Sequence, residues 1–244
     1  MARVVKEKEY AARKNEIINV AQHFIQTRGY EQMSIQDILK TLRISKGAFY
    51  HYFDSKQNLI EATIARMGDE TNKNIQSIVN DLKLTAIQKL QSFLAMFDNL
   101  RIAHKADVVE LLHVWYTDDN ALIRQKVDEA AIKQRTPLLT EIIRQGIREG
   151  LFKTTYPDHA GEITLYLLQG MGYSHARLLL SLDKGYDEQR CIEDIIATHA
   201  GYMDAIERVL SIPSNSLYRA DSEAVKVWVS HFIQTKEILN EKKT

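Results

Sequence analysis

The chain has a single cysteine, Cys191, in 244 residues. A disulfide framework within the chain is therefore excluded, as is a zinc site built on several thiolates. Proline is nearly as scarce: Pro137, Pro157 and Pro213 are the only three, and the first 136 residues hold none. No stretch approaches the roughly 18 apolar residues of a membrane span, and Met1–Tyr10 is too charged for a signal peptide. No membrane partner is expected, and a cytoplasmic location is. Net charge is missing as well, since 32 Lys and Arg balance 32 Asp and Glu. The balance is uneven along the chain: residues 1–66 carry 11 basic against 7 acidic residues, leaving 21 against 25 in the rest. A basic head on a mildly acidic body suits a polyanionic partner for the head alone.

With so few breakers and apolar residues recurring at helical spacing, the fold class is all-α. Ile17, Val20, Ala21, Phe24 and Ile25 make one stripe on a first helix that ends near Gly29, a residue suited to a left-handed cap. Ser34 and Asp37 form a capping-box start for a short second helix buried through Ile35, Ile38, Leu39 and Leu42. A third short helix starts at Ser45 and ends near Phe53, and a long fourth one follows from the Asp54-Ser55 cap. Further helices are expected at about 84–104, 107–117, 119–149 with a break before Pro137, 158–182, 187–211 and 220–238. The expected division is 1–66 as a small basic head, 67–213 as a larger helical body, and 214–244 as a C-terminal helical extension. No Pro/Gly linker separates head from body, so a continuous helix should join them.

The two short helices around the Arg43-Ile44 turn have the layout of a helix-turn-helix, whose second helix enters the major groove. Phe49 and Phe53 can anchor that helix inward, which turns Lys46, Gly47, Tyr50, His51 and Tyr52 outward. Hydroxyl, imidazole and ammonium groups there are donors for phosphate oxygens. Lys46 in the first turn opposes the helix dipole by about 0.3–1 kcal/mol unless an anion is bound.

The run from Ser34 to Ile38 and from Ile44-Ser45-Lys46-Gly47-Ala48-Phe49-Tyr50-His51-Tyr52-Phe53 to Lys56 resembles the N-terminal domain of the tetracycline-repressor (TetR) family, over roughly residues 10–66. The resemblance implies a three-helix DNA-binding head on a divergent helical body that dimerises, with repression relieved by a small molecule. By position it implies that Gln36, Lys46 and Ala48 face bases, and that Tyr50, His51, Tyr52 and Lys56 contact bases or backbone. Ser34, Ser45 and Gly47 complete the expected DNA-contacting set. Arg43 stands where the family commonly has glycine and Leu39 where alanine is common, so the turn is expected to carry some strain.

For the body, Phe93, Phe97, Trp115, Tyr116, Tyr166 and Tyr173 are candidates to line an apolar effector cavity, with His113 and Gln169 as polar handles. Residues at such spacing are also ordinary core. The helices carrying Ile163, Tyr166, Leu167 and Gly170, and then Ile192, Ile195, Ile196, His199, Met203, Ile206 and Leu210, are either internal core or a dimer face. The family resemblance favours a homodimer through about 158–182 and 187–211, reading a pseudo-palindromic operator in double-stranded DNA. No metal is expected: His104, Asp107, Glu110 and His113 are spaced by three, which rotates them out of a common site and suits a solvated face. Gly170-Met171-Gly172 begins like a dinucleotide fingerprint, but His175 occupies a required glycine position and no strand precedes it, so no cofactor is expected. With no nucleophile elbow, zinc-protease or phosphate-loop pattern, the chain is not expected to be an enzyme. The leading expectation is a ligand-released repressor. The alternative is an architectural DNA binder answering to a protein partner.

Overall fold

The computed structural model describes residues 2–103, 109 and 112–241. Among them the helices are α1 (Ala2–Arg28), α2 (Ile35–Leu42), α3 (Lys46–Tyr50), α4 (Lys56–Asn80), α5 (Ala86–Ala103), α6 (Ala121–Arg148), α7 (Pro157–Ser181), α8 (Glu188–Leu210) and α9 (Ser222–Glu241), with single 3-10 turns at Asp118–Asn120 and Leu182–Lys184. Residues 112–115 are helical, and the start of the helix expected over 107–117 lies outside the described residues. No strand occurs among the described residues, and none of their helices is long and apolar enough to cross a membrane.

The chain forms two compact units, one of Met1–Thr71 with His113–Ala130 and one of Asn72–Leu112 with Ala131–Thr244. The division falls inside α4, which runs unbroken from Lys56 to Asn80. This grouping differs from the expected division into head, body and extension. His113–Ala130 belongs with the head, because Trp115, Ile123, Val127 and Ala130 pack into its core. Residues 214–241 belong with the larger unit, because α9 is seated on α8. The break expected before Pro137 is also missing: α6 continues through it. Proline inside a helix costs about 3 kcal/mol. Ile123 on one side and Leu139, Ile142 and Ile143 on the other are all buried, at about 1.5–3 kcal/mol each, which outweighs that cost.

In the first unit Ile17, Ala21, Phe24 and Ile25 of α1 are buried with Ile38, Leu39, Phe49, Phe53, Leu59 and Ile60. The period that predicted the α1 stripe is the face that closes this core. In the second unit, Phe93, Leu139, Leu165, Met203 and Ile206 belong to one cluster, and Phe152 is fully packed against Gly146. A Cβ at Gly146 would lie 2.2 Å from the Phe152 ring, so only glycine fits there. A second cluster puts Leu179, Cys191, Ile192 and Ile195 beneath Val225, Val229 and Phe232 of α9. Burial pushes the Cys191 thiol up to about 11, so it is an inert core residue.

Candidate nucleic-acid interface

The helix-turn-helix is set by its caps. Ser34 Oγ accepts the Asp37 N–H at 3.2 Å while the Asp37 carboxylate accepts the Ser34 N–H at 3.2 Å, the reciprocal box expected. Hydrogen bonds from Ser34 hold the Asp37 carboxyl below its ordinary value. At the other end of α2, Arg43 is left-handed, with φ 52° and ψ 43°, and the Ile44 N–H reaches back to the Leu39 carbonyl at 3.1 Å. This is a Schellman stop made without glycine, so the strain expected at Arg43 is present. Ser45 then caps α3 by accepting the Ala48 N–H at 3.1 Å. Ser34 and Ser45 thus already fix the two helices that present the rest of the set.

Phe49 and Phe53 are buried, and the opposite face of α3 is open. Lys46, Gly47, Tyr50 and His51 are exposed with Ser34, Gln36 and Ser45, while Ala48, Tyr52 and Lys56 are half-buried. The Lys46 ammonium lies 5.9 Å from the Tyr50 ring centroid. Lys56 is more constrained than its sequence position suggests: Nζ donates to the Tyr30 carbonyl at 3.0 Å and sits 4.3 Å from the Tyr30 ring centroid. Burial holds this ammonium below the ordinary lysine value.

Tyr10 is a member of this face that pattern reasoning missed. Its ring lies 4.8 Å from Tyr52 and 5.5 Å from His51, edge-on to the latter. A groove of about 610 Å³ runs between Glu9, Tyr10, Arg13 and Glu16 on α1 and His51 and Tyr52. A signal was present, since Tyr10 stands seven residues before Ile17 and so continues the α1 stripe.

The residues expected around an effector fall in both units. His113, Trp115 and Tyr116 are half-buried in the first, where Trp115 packs on the head core and Tyr116 lies under the Arg124 guanidinium, 5.2 Å from its ring centroid. In the second unit Phe93 is in the closed core, Gln169 is half-buried, and Tyr166 and Tyr173 are exposed. The Phe97 side chain lies outside the described residues, as do His104, Asp107 and Glu110. The α8 stripe resolves into internal core: Ile192 and Ile195 are covered by α9, and Met203, Ile206 and Leu210 join the larger cluster. The outward apolar surface is instead on α7, where Ile163, Tyr166 and Tyr173 are 43%, 55% and 47% exposed at helical spacing. On α8, Ala197 and Gly201 are exposed, and a Cβ at Gly201 would meet nothing within 4 Å.

Residues 17–63 match the family model for bacterial regulatory proteins of the tetR family, and residues 108–182 match that for the tetracyclin repressor-like C-terminal domain. Together the two matches span half of the chain. The chain is 24% identical over 148 residues to the HTH-type transcriptional repressor KstR2 of Mycolicibacterium smegmatis, covering 59% of this chain and 69% of that one. It is 28% identical over 141 residues to the fatty acid metabolism regulator protein of Bacillus subtilis, covering 57% and 70%. The structure of reduced NemR from E. coli shares the fold, with a TM-score of 0.53 at 16% identity over 82% of this chain and 98% of that one. With a capped helix-turn-helix whose outward face carries Lys46, Tyr50 and His51, and with an N-terminal and a C-terminal family model both matched, this chain belongs to the TetR family of DNA-binding transcriptional regulators.

Proposed function

We propose that the protein is a homodimeric repressor that holds a pseudo-palindromic operator and is released from it by a small apolar or aromatic effector. One observation carries the DNA contact: α3 is locked inward by the fully packed Phe49, with Phe53 buried just beyond it, while Tyr50, His51 and Lys46 are left at the surface. A five-residue helix gains nothing in stability from that display, whereas a phosphate backbone accepts all three donors. In this reading Gln36, Lys46 and Ala48 face bases, and Tyr50, His51, Tyr52 and Lys56 contact bases or the phosphate backbone. Tyr50→Phe and Tyr52→Phe should each weaken binding to an operator duplex selected from random-sequence DNA, with unchanged melting temperature. Parental affinity in both would remove α3 as the reader.

The dimer face is placed on α7 and α8, as two-fold operators require two matched heads. The outward Ile163, Tyr166 and Tyr173 stripe on α7 and the open Gly201 on α8 support it, because large side chains on one helix and small ones on the next let a second copy approach closely. Tyr166→Glu should shift sedimentation from dimer to monomer, and a persistent dimer would refute this face. Ile195→Asp is expected to unfold the unit instead, since Ile195 is packed under α9.

The effector class rests on the half-buried Trp115 and Tyr116, and the likeness to a fatty acid metabolism regulator supports an apolar molecule. Coupling between two such sites is typically about 1–3 kcal/mol, or about 5- to 150-fold, and must be reciprocal. Apolar and aromatic acids can be screened by tryptophan fluorescence. A true effector binds more weakly when operator is saturating, and one with identical affinity in both conditions is not the signal.

A further inference from the structure

The residue before α6 is Asn120, a position where asparagine normally caps its own helix. Here its side chain turns the other way and is completely buried. Asn120 Oδ1 accepts the Tyr30 backbone N–H at 2.7 Å, and Nδ2 donates to the Val114 carbonyl at 3.0 Å and, more weakly, to Ile25 at 3.5 Å. The assignment is forced, because an amide proton needs the oxygen and carbonyls need the nitrogen. Its neighbour joins in: Gln32 Nε2 donates to Asp119 at 3.0 Å, and a Cβ at Gly29 would lie 3.3 Å from the Asp119 Cβ. The turn at 118–120 is therefore docked on the corner between α1 and α2, some ninety residues earlier in the chain.

Tyr30 is held from both sides. Its N–H goes to Asn120 and its carbonyl accepts Lys56 Nζ at 3.0 Å. Asn120 and Lys56 thus share one peptide-bearing residue, and neither can shift without moving the corner that fixes the other. Among the described residues of 112–130, Asn120 is the single buried polar side chain, and α6 begins at the next residue. An unpaired buried amide would be expensive, so this turn has one stable seat.

We propose that Asn120 is a positioning residue for DNA binding: through the Tyr30 backbone it sets the Lys56 ammonium at a phosphate, and it makes the start of α6 part of the operator-reading head. The proposal rests on the reading of Lys56 as a phosphate contact. Any displacement of the first turn of α6 is then felt at Tyr30 and Lys56 with no change in α3 itself.

A double-mutant cycle on operator binding, run over a salt series well below the melting temperature, tests this. Lys56→Ala should weaken binding and lower the log–log salt slope by about 0.9 per phosphate no longer neutralised. Asn120→Ala should reproduce that slope change with about tenfold weaker binding, the effect of one buried hydrogen bond. Added to Lys56→Ala, it should then cost less than about twofold. A structural role alone would lower the melting temperature while leaving the salt slope at its parental value, which overturns the proposal. Additive effects on affinity overturn it too, while sparing Lys56 as a contact. Unchanged binding in Lys56→Ala alone removes Lys56 from the interface and overturns both readings. Should Asn120→Ala fail to fold, hydrogen exchange on the unaltered protein decides. By reciprocity the Tyr30 amide must exchange more slowly on operator DNA, and an unchanged rate refutes the link.

Discussion

Each unit of this chain pins a loop with one buried polar side chain, and the two clasps are chemically opposite. In the first, the neutral Asn120 amide serves one N–H and two carbonyls. In the second, the buried Glu207 carboxylate accepts the N–H groups of Leu217 at 2.8 Å and Asn215 at 3.1 Å, and the Arg219 guanidinium at 2.6 Å. That clasp fastens the segment leading to α9, which in turn covers Ile192 and Ile195 of α8. An amide is satisfied at any pH and at moderate cost, so it suits a joint that has to shift. A buried ion pair is costly to break, so it suits a cover that has to stay.

The largest effect should come from breaking the ionic clasp. Glu207→Ala leaves Arg219 and two N–H groups without their acceptor, and about 3 kcal/mol of stability should be lost in urea unfolding, with 213–235 losing exchange protection first. A loss below about 1 kcal/mol would mean that α9 is held by its apolar side alone.

Acid should separate the clasps next. Burial pushes the Glu207 carboxyl up, but the hydrogen bonds from Arg219, Leu217 and Asn215 outweigh it and hold the group below its ordinary 4.5. A depressed folded-state value means the contribution is complete above pH about 4.5 and fades as pH falls through the lower folded value. The stability gap between the parent and Glu207→Gln should therefore shrink on acidification. A gap that is constant down to pH about 3 would show the carboxylate to be indifferent to its charge.

Smaller is the dual role of Lys56. Its bond and ring contact with Tyr30 should make Lys56→Ala cost about 1 kcal/mol of stability as well as operator affinity. An unchanged melting temperature would leave the ammonium to DNA alone. Smallest is the effect at the two helix stops, which the units share almost to the degree. Arg43 ends α2 with φ 52° and Ser211 ends α8 with φ 51°, each followed by an isoleucine N–H bonded to the carbonyl five residues back. Arg43→Gly and Ser211→Gly should each stabilise by up to about 1 kcal/mol, read as a small rise in melting temperature. A fall at Arg43 would mean that its side chain contributes more than its backbone costs.

What is local and periodic follows from the order of residues alone. The α1 stripe, the Ser34–Asp37 box, the inward Phe49 and Phe53 and the left-handed place of Arg43 are each decided within a few residues, by helical geometry and by backbone groups that need a cap. Periodicity says which face of a helix is buried but not what buries it. The α8 stripe could close against a second copy or within its own chain, and α9 decided for its own chain. Tyr166 and Tyr173 look like Phe93 in sequence, yet two face outward and one is sealed in the core. Asn120 offered no pattern at all, because its partner stands ninety residues away and a single amide leaves no period. Its role was set only when packing brought the turn before α6 onto the corner after α1, where a peptide N–H needed an acceptor that water could no longer supply.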